Sequence, residues 1–95
     1  MSNSTTVTND SATGRFEAHT EHGVAHLRYV ARGGVLDLVH TEVPQEAEGQ
    51  GIGAALAKAA LDHARSEGMK VIPSCPFVRT YIKRHAEYAD LVAAR

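Results

Sequence analysis

The chain has 95 residues, with ten basic and eleven acidic side chains and a net charge of −1. That length allows one domain with one core, and the near-neutral charge argues against a general nucleic-acid binder, which normally carries a basic face. No apolar run approaches the roughly 20 residues of a membrane span, and the N-terminus lacks the basic-then-apolar order of a signal peptide. We therefore expect a cytoplasmic protein without a nucleic-acid or membrane partner. The single cysteine, Cys75, excludes an internal disulfide.

The first half of the chain predicts a polar tail followed by three strands. Residues 1–13 are rich in Ser, Thr, Asn and Asp, which predicts a flexible tail ahead of a folded domain over 14–95. Apolar and charged residues alternate along RFEAHTEHGVAHLRYVAR, as in a hairpin that turns near the EHG triplet. The RGG triplet marks a second turn, and the apolar run VLDLVHTEV predicts a strand that ends at Pro44.

The second half predicts helices around one more strand. A helix is expected from Gly51 to about Glu67, closed by Gly68 at the position that glycine commonly takes after a helix. MKVIPS predicts a fourth strand, Pro76 opens a second helix, and EYADLVAA predicts a final short helix. The order β-β-β-α-β-α-(α) predicts a mixed α/β (α+β) domain with a central, mostly antiparallel sheet and helices packed on it.

Three glycines alternate at positions 49, 51 and 53, where the first helix should begin. The first N–H groups of a helix have no intrahelical partner, and that end of the helix is positive. Residues without side chains, some with positive φ, let a phosphate or pyrophosphate lie directly on these amides. A plain loop with a close helix–sheet contact is the alternative. The Gly-Lys-Ser/Thr ending of a Walker A loop is missing, and the chain is too short for a doubly wound dinucleotide domain.

The segment VLDLVHTEVPQEAEGQGIGAALAKAALDHARSEGMKVIPSC resembles the core of the GNAT acetyltransferase superfamily. The motifs HTEVP, GQGIG, VIPSCPFV and YIKRHAEYADLV are further similar to its small, single-domain YjdJ-type branch, so that the resemblance covers roughly residues 15–92. It implies a compact GNAT-like fold whose Q/R-x-x-G-x-G/A loop binds the pyrophosphate of acetyl-CoA. The matching loop here is EGQGIG, with Glu48 in place of the usual Gln or Arg.

The residues that the resemblance assigns to acetyl-CoA or CoA form two groups. The pyrophosphate cradle consists of Gly49, Gln50, Gly51, Ile52, Gly53 and Ala54. Thr41 and Val43 lie where GNAT strands offer backbone groups to the pantetheine arm. Arg84 belongs to a basic face of the second helix, which either is simply solvated or reaches the phosphates.

Cys75, His40 and Tyr81 are the candidate catalytic residues. Cys75 lies at a strand end before a helix, where a thiolate is favoured, and an inert buried cysteine is the alternative. In the YjdJ-type branch the corresponding Cys and His are the proposed active-site pair, which leaves two routes open: an acetyl-cysteine intermediate, or direct amine attack with His40 as base. Tyr81 aligns with the tyrosine that protonates the CoA thiolate in many GNAT enzymes, and packing in an apolar stripe is the alternative.

The resemblance thus implies an acetyl-CoA-dependent acyltransferase, an N-acetyltransferase with an unknown amine acceptor. The runner-up is a CoA-binding sensor or interaction module without efficient catalysis, and turnover in the presence of an acceptor separates the two. A metal site at His19, His22 and His26 is not expected, because a hairpin scatters side chains at this spacing.

Overall fold

The computed structural model describes residues 6–93, which form one five-stranded sheet with helices. The strands are β1 (Val7–Asp10), β2 (Arg15–Thr20), β3 (Gly23–Arg32), β4 (Val35–Glu42) and β5 (Lys70–Ile72). The helices are α1 (Ile52–Ser66) and α2 (Pro76–Arg84), and 3₁₀ turns span Gln45–Ala47 and Ala86–Leu91. No helix in the described region is long and apolar enough to cross a membrane.

The sheet confirms the predicted mixed fold. Its strands lie in the order β1-β2-β3-β4-β5; the first four pair antiparallel, and β5 joins β4 in parallel. Two neighbouring parallel strands need a crossover between them, and α1 provides it. The predicted end of α1 is also confirmed, because Gly68 has a φ of +68° directly after the last turn.

Strand β1 was not predicted, and the tail expected over 1–13 is wrong for residues 7–10. β1 pairs with β2 along its whole length, and the Tyr29 hydroxyl donates a hydrogen bond of 2.6 Å to the Asn9 side chain. Val7 contributes the one half-buried apolar side chain of β1. The strand is therefore held mainly by backbone pairing, which leaves no hydrophobic pattern in the sequence. Residues 1–5 of the predicted tail lie outside the described region.

Helix α1 packs on one face of the sheet, α2 packs against α1, and the core lies between the sheet and the helices. Side chains from the three central strands, such as Leu27 and Leu38, are completely buried there, together with Leu56 and Leu61 of α1. The remaining buried positions of α1 are largely alanine, which allows the helix to approach the sheet closely. Because no helix within residues 6–93 covers the other face, we call that side the open face.

A bulge in β4 decides which of its side chains face the helices. Arg28 of β3 pairs with His40, but the next residue, Tyr29, pairs with Leu38, so Val39 is an extra residue in β4. An extra residue shifts the alternation of side chains by one position. Thr41 therefore faces the helix side, opposite buried Leu27, whereas His40 points to the open face.

Candidate active site

A cleft of about 650 Å³ opens between the end of β4, the start of α1 and one side of α2. Its lining contains most of the residues predicted to bind acetyl-CoA, together with Tyr81. The lining from β4, the following loop and α1 is Thr41, Val43, Ala47, Glu48, Gly49, Gly51, Ile52, Gly53 and Ala54. The lining from α2 and its end is Phe77, Thr80, Tyr81, Arg84 and His85. Gln50 is exposed and lies outside this lining.

The start of α1 has the geometry of an anion site. Gly49 and Gly51 have φ values of +85° and +77°, which side-chain-bearing residues rarely adopt. Gly51 is the N-cap, and the first intrahelical bond runs from the Ala55 N–H to its carbonyl, so the preceding helical amides have no intrahelical partner. Within the described region no side chain caps them, and the first turn carries no acidic residue. We call the amides of residues 52–54 the amide cradle.

Gly53 is required for a different reason from the other two glycines. It lies inside the helix, and a Cβ built on it would come within 3.0 Å of Cζ of Phe77. The Phe77 ring, which is 44% exposed, thus lies directly over the first turn of α1. Gly53 thus allows a close contact between α1 and α2 rather than the helix–sheet contact considered from the sequence, whereas Gly49 and Gly51 allow the positive φ values of the loop.

Charged side chains flank the amide cradle from both sides. Arg84 approaches from α2 and supplies a cation that can pair with a phosphate, while Glu48 precedes the glycines and also lines the cleft. Both side chains are exposed, so each can turn toward or away from a ligand. The backbone amides are therefore the fixed part of the site.

Tyr81 and His85 form a stacked pair in the wall of the cleft. Their ring centroids lie 3.9 Å apart with an angle of 14° between the planes. Burial raises the pKa of Tyr81 above its ordinary 10.0, so its hydroxyl is protonated at neutral pH. His85 Nδ1 lies 2.9 Å from the Tyr81 carbonyl oxygen, which can only accept. Nδ1 therefore carries the proton, and in the neutral ring Nε2 is the acceptor.

Cys75 lies beside the cleft rather than in its lining. Its side chain is 4% exposed, and its Sγ is 3.4 Å from Oγ1 of Thr41, which does line the cleft. Burial is the largest influence on the pKa of the thiol and raises it, but hydrogen bonds from the Thr41 hydroxyl and from the amides of Val78 and Phe77 together lower it more. The pKa of Cys75 is therefore below its ordinary 9.0.

The structure does not bring together His40 and Cys75, which the resemblance pairs as active-site residues, because they lie on opposite faces of the sheet. His40 lies on the open face, next to His26 and Glu42, while Cys75 contacts Thr41 on the helix side. The bulge at Val39 is the physical reason, because it sets the face on which each later residue of β4 lies.

Phe77, Thr80 and His85 also line the cleft and were not predicted as site residues. With Tyr81 and Arg84, these residues follow the spacing i, i+3, i+4, i+7 and i+8, which marks one face of a helix. That spacing was a usable signal. The sequence instead drew attention to the apolar stripe through Val78 and Ile82, whose side chains form the buried side of α2.

Comparison with known proteins places this geometry in a family. Residues 15–91 match the family described as GCN5-related N-acetyl-transferase. The chain is 43% identical over 51 residues to Protein NATD1 of Gallus gallus, a match that covers 54% of this chain and 46% of that protein. It is 32% identical over 80 residues to Protein NATD1 of Danio rerio, covering 82% of this chain and 72% of the relative.

A solved structure shares the fold. A Staphylococcus aureus protein determined by NMR in solution, described as a "GCN5-like putative N-acetyltransferase", superposes with a TM-score of 0.72 at 26% identity. The match covers 95% of this chain and 89% of that one. The shared fold agrees with the family match, and the chain belongs to the GCN5-related N-acetyltransferase family.

Proposed function

We propose that this protein is an acetyl-CoA-dependent N-acetyltransferase. The observation that carries the proposal is the amide cradle, where the free N–H groups at the positive end of α1 border a cleft of about 650 Å³. Cofactor sites in proteins typically have volumes of roughly 300–1,000 Å³. Family membership supports acetyl transfer as the reaction class.

In this proposal the cradle holds the pyrophosphate of CoA, and Arg84 pairs with a phosphate from across the cleft. The end of β4 lies along the same cleft, so Thr41 and Val43 offer backbone groups to the pantetheine arm. Beyond Asp37, β4 has no ladder partner in β5 within the described region, which leaves such groups available. The thioester then lies near Thr41 and Tyr81, at the far end of the cleft from the cradle.

The proposed chemistry joins an amine nitrogen to the acetyl carbon and breaks the carbon–sulfur bond. An ammonium substrate loses two protons overall: one ends on the CoA thiol and one is released to water. Tyr81 is the proposed donor to the departing thiolate, since burial keeps its hydroxyl protonated. His40, 59% exposed on the open face of β4, is the proposed base that takes the first proton from the amine.

Direct attack by the amine is the proposed route, because Cys75 is buried and its predicted partner His40 lies on the other face. One observation favours the alternative route through an acetyl-cysteine, namely the lowered pKa of the Cys75 thiol. In that route the thiolate attacks the thioester carbon, CoA leaves and is protonated, and the acetyl group then passes from sulfur to the amine. Cys75→Ala abolishes turnover only if this second route operates.

The test measures the rate at which free CoA thiol is released from acetyl-CoA in the presence and in the absence of a primary amine. Faster release with the amine, together with formation of the acetylated amine, supports the enzyme. Binding of CoA without such release would overturn catalysis and leave a CoA-binding module. Absence of CoA binding would overturn both.

A further inference from the structure

Three side chains that the cleft does not use converge on the open face. Nε2 of His26 and Nε2 of His40 each lie 3.8 Å from the same oxygen, Oε1 of Glu42. Their ring centroids are 6.4 Å apart, and the pairing of β3 with β4 places His26 directly opposite Glu42. The side chain of His26 is 19% exposed, while those of His40 and Glu42 are 59% and 68% exposed. We call these three residues the open-face triad.

The spacing of 3.8 Å limits what the triad can bind. It is longer than a direct hydrogen bond between these atoms, which spans about 2.7–3.2 Å. It is also wider than the roughly 3.3 Å between two ligands of one tetrahedral zinc ion with bonds of about 2.0 Å. No group of metal-ligating side chains suited to a metal ion occurs within residues 6–93. A small group with several N–H donors can hydrogen-bond to each acceptor once the exposed side chains of His40 and Glu42 move apart by about 1 Å.

A primary ammonium group has these properties, since it carries three donors and a positive charge. Glu42 supplies the opposite charge, and Nε2 of each imidazole can accept a hydrogen bond whenever it carries no proton. A second carboxylate lies in the same row of the sheet, because Glu17 pairs with His26 from the other side. Glu17 is bound by Arg15 at 2.9 Å, and Arg28 lies opposite His40. Because Arg15 pairs with Glu17, Glu42 is the carboxylate that provides the negative charge of the triad.

The triad and the proposed position of the thioester lie on opposite faces of β4. His40 and Glu42 flank Thr41, whose side chain lines the cleft on the helix side and contacts Cys75. Pairing between β4 and β5 ends at Asp37, and one further bond joins the Cys75 N–H to the Leu38 carbonyl. Past that bond, the edge of β4 separates the two faces without a neighbouring strand in the described part of the chain.

We propose that the open-face triad of Glu42, His26 and His40 binds the primary ammonium group of the acetyl acceptor. This inference rests on the proposed function. The acceptor approaches from the open face, gives one proton to His40 Nε2 and passes the edge of β4 to reach the thioester carbon. The new N–C bond forms as the C–S bond breaks, with Tyr81 protonating the sulfur. Because the triad is shallow and exposed, it selects for an amine on a flexible chain rather than for the shape of a whole small molecule.

The binding step is tested without CoA, by NMR titration of the histidine ring signals with n-butylammonium at constant pH. We expect saturable shifts confined to His26 and His40. Tetramethylammonium, a cation without N–H donors, should not reproduce them. Glu42→Gln should weaken n-butylammonium binding about tenfold or more, as expected for a hydrogen bond to a charged group. Glu67→Gln, which removes an exposed carboxylate at the far end of α1, should leave binding unchanged.

An unchanged affinity for n-butylammonium in Glu42→Gln, or shifts that appear at His85 instead, would overturn the proposal. The activity readout is independent: Glu42→Gln and His26→Asn should raise KM for n-butylamine and leave KM for acetyl-CoA unchanged. An equal rise in both KM values would contradict an acceptor site. If acetyl-CoA is not turned over at all, the proposed function fails, while the titration still decides whether the triad binds an ammonium group.

Discussion

Replacing Gly51 with alanine tests the role of the amide cradle, because the chain contains a matched control. Gly51 and Gly68 lie at opposite ends of α1 with φ values of +77° and +68°, and a Cβ on either would meet nothing within 4 Å. Each alanine should therefore cost about 1–2 kcal/mol of backbone strain. In a domain of this size, that cost corresponds to a melting temperature lower by roughly 4–16 °C. Thermal unfolding followed by circular dichroism should show similar losses for the two variants.

The two variants should differ in their affinity for CoA. Gly51 caps α1 and lines the cleft, whereas Gly68 lies beyond the other end of the helix. Displacing one amide from a phosphate oxygen costs about 1.5–3 kcal/mol, so Kd for Gly51→Ala should rise roughly 10- to 100-fold. Calorimetric titration, below the melting temperature of each variant, measures this. A wild-type Kd in Gly51→Ala, or an equal rise in Gly68→Ala, would refute the reasoning.

Three further predictions concern other parts of the cleft and the core. Gly53→Ala should gain about 1 kcal/mol of stability in a Phe77→Ala background but little in the wild type, where the ring opposes a Cβ at 3.0 Å; additive denaturation data would contradict this. Tyr81→Phe should lower kcat about 100-fold with KM for acetyl-CoA nearly unchanged, and an unchanged kcat would exclude it as the acid. Burial and a hydrogen bond to Asp62 raise the pKa of Tyr88, so neutral Tyr88 stabilises the fold below pH 10 and this contribution is lost as pH rises further. Tyr88→Phe should thus show a smaller alkaline loss of stability in urea denaturation, and an identical pH profile would contradict the assignment.

The parts of the fold that could be predicted from the sequence are helices with a periodic apolar pattern and helix ends marked by glycine. The amphipathic pattern of α1 and the positive φ of Gly68 concern a few neighbouring residues, so the sequence alone defines them. Strand β1 depends instead on its pairing with β2 and on the bond from Tyr29 to Asn9, across twenty positions of sequence. A polar strand held by such long-range contacts has no hydrophobic signal of its own.

The same distinction applies to the candidate site. The glycines before α1 indicate their role locally, because an αL residue at a helix start needs no tertiary information. The orientation of His40 depends on a bulge in the register between β3 and β4, which no pattern within β4 specifies. For this reason the sequence indicated His40 as a candidate but placed it beside Cys75 rather than on the open face.

The amides at the start of α1 are proposed to bind the pyrophosphate of a coenzyme. Calorimetric titration with CoA and, separately, with pantetheine tests it most directly, because pantetheine keeps the thiol arm and lacks the phosphates. We expect saturable CoA binding and at least tenfold weaker binding of pantetheine. Equal affinity for the two compounds, or no binding of CoA, would contradict it.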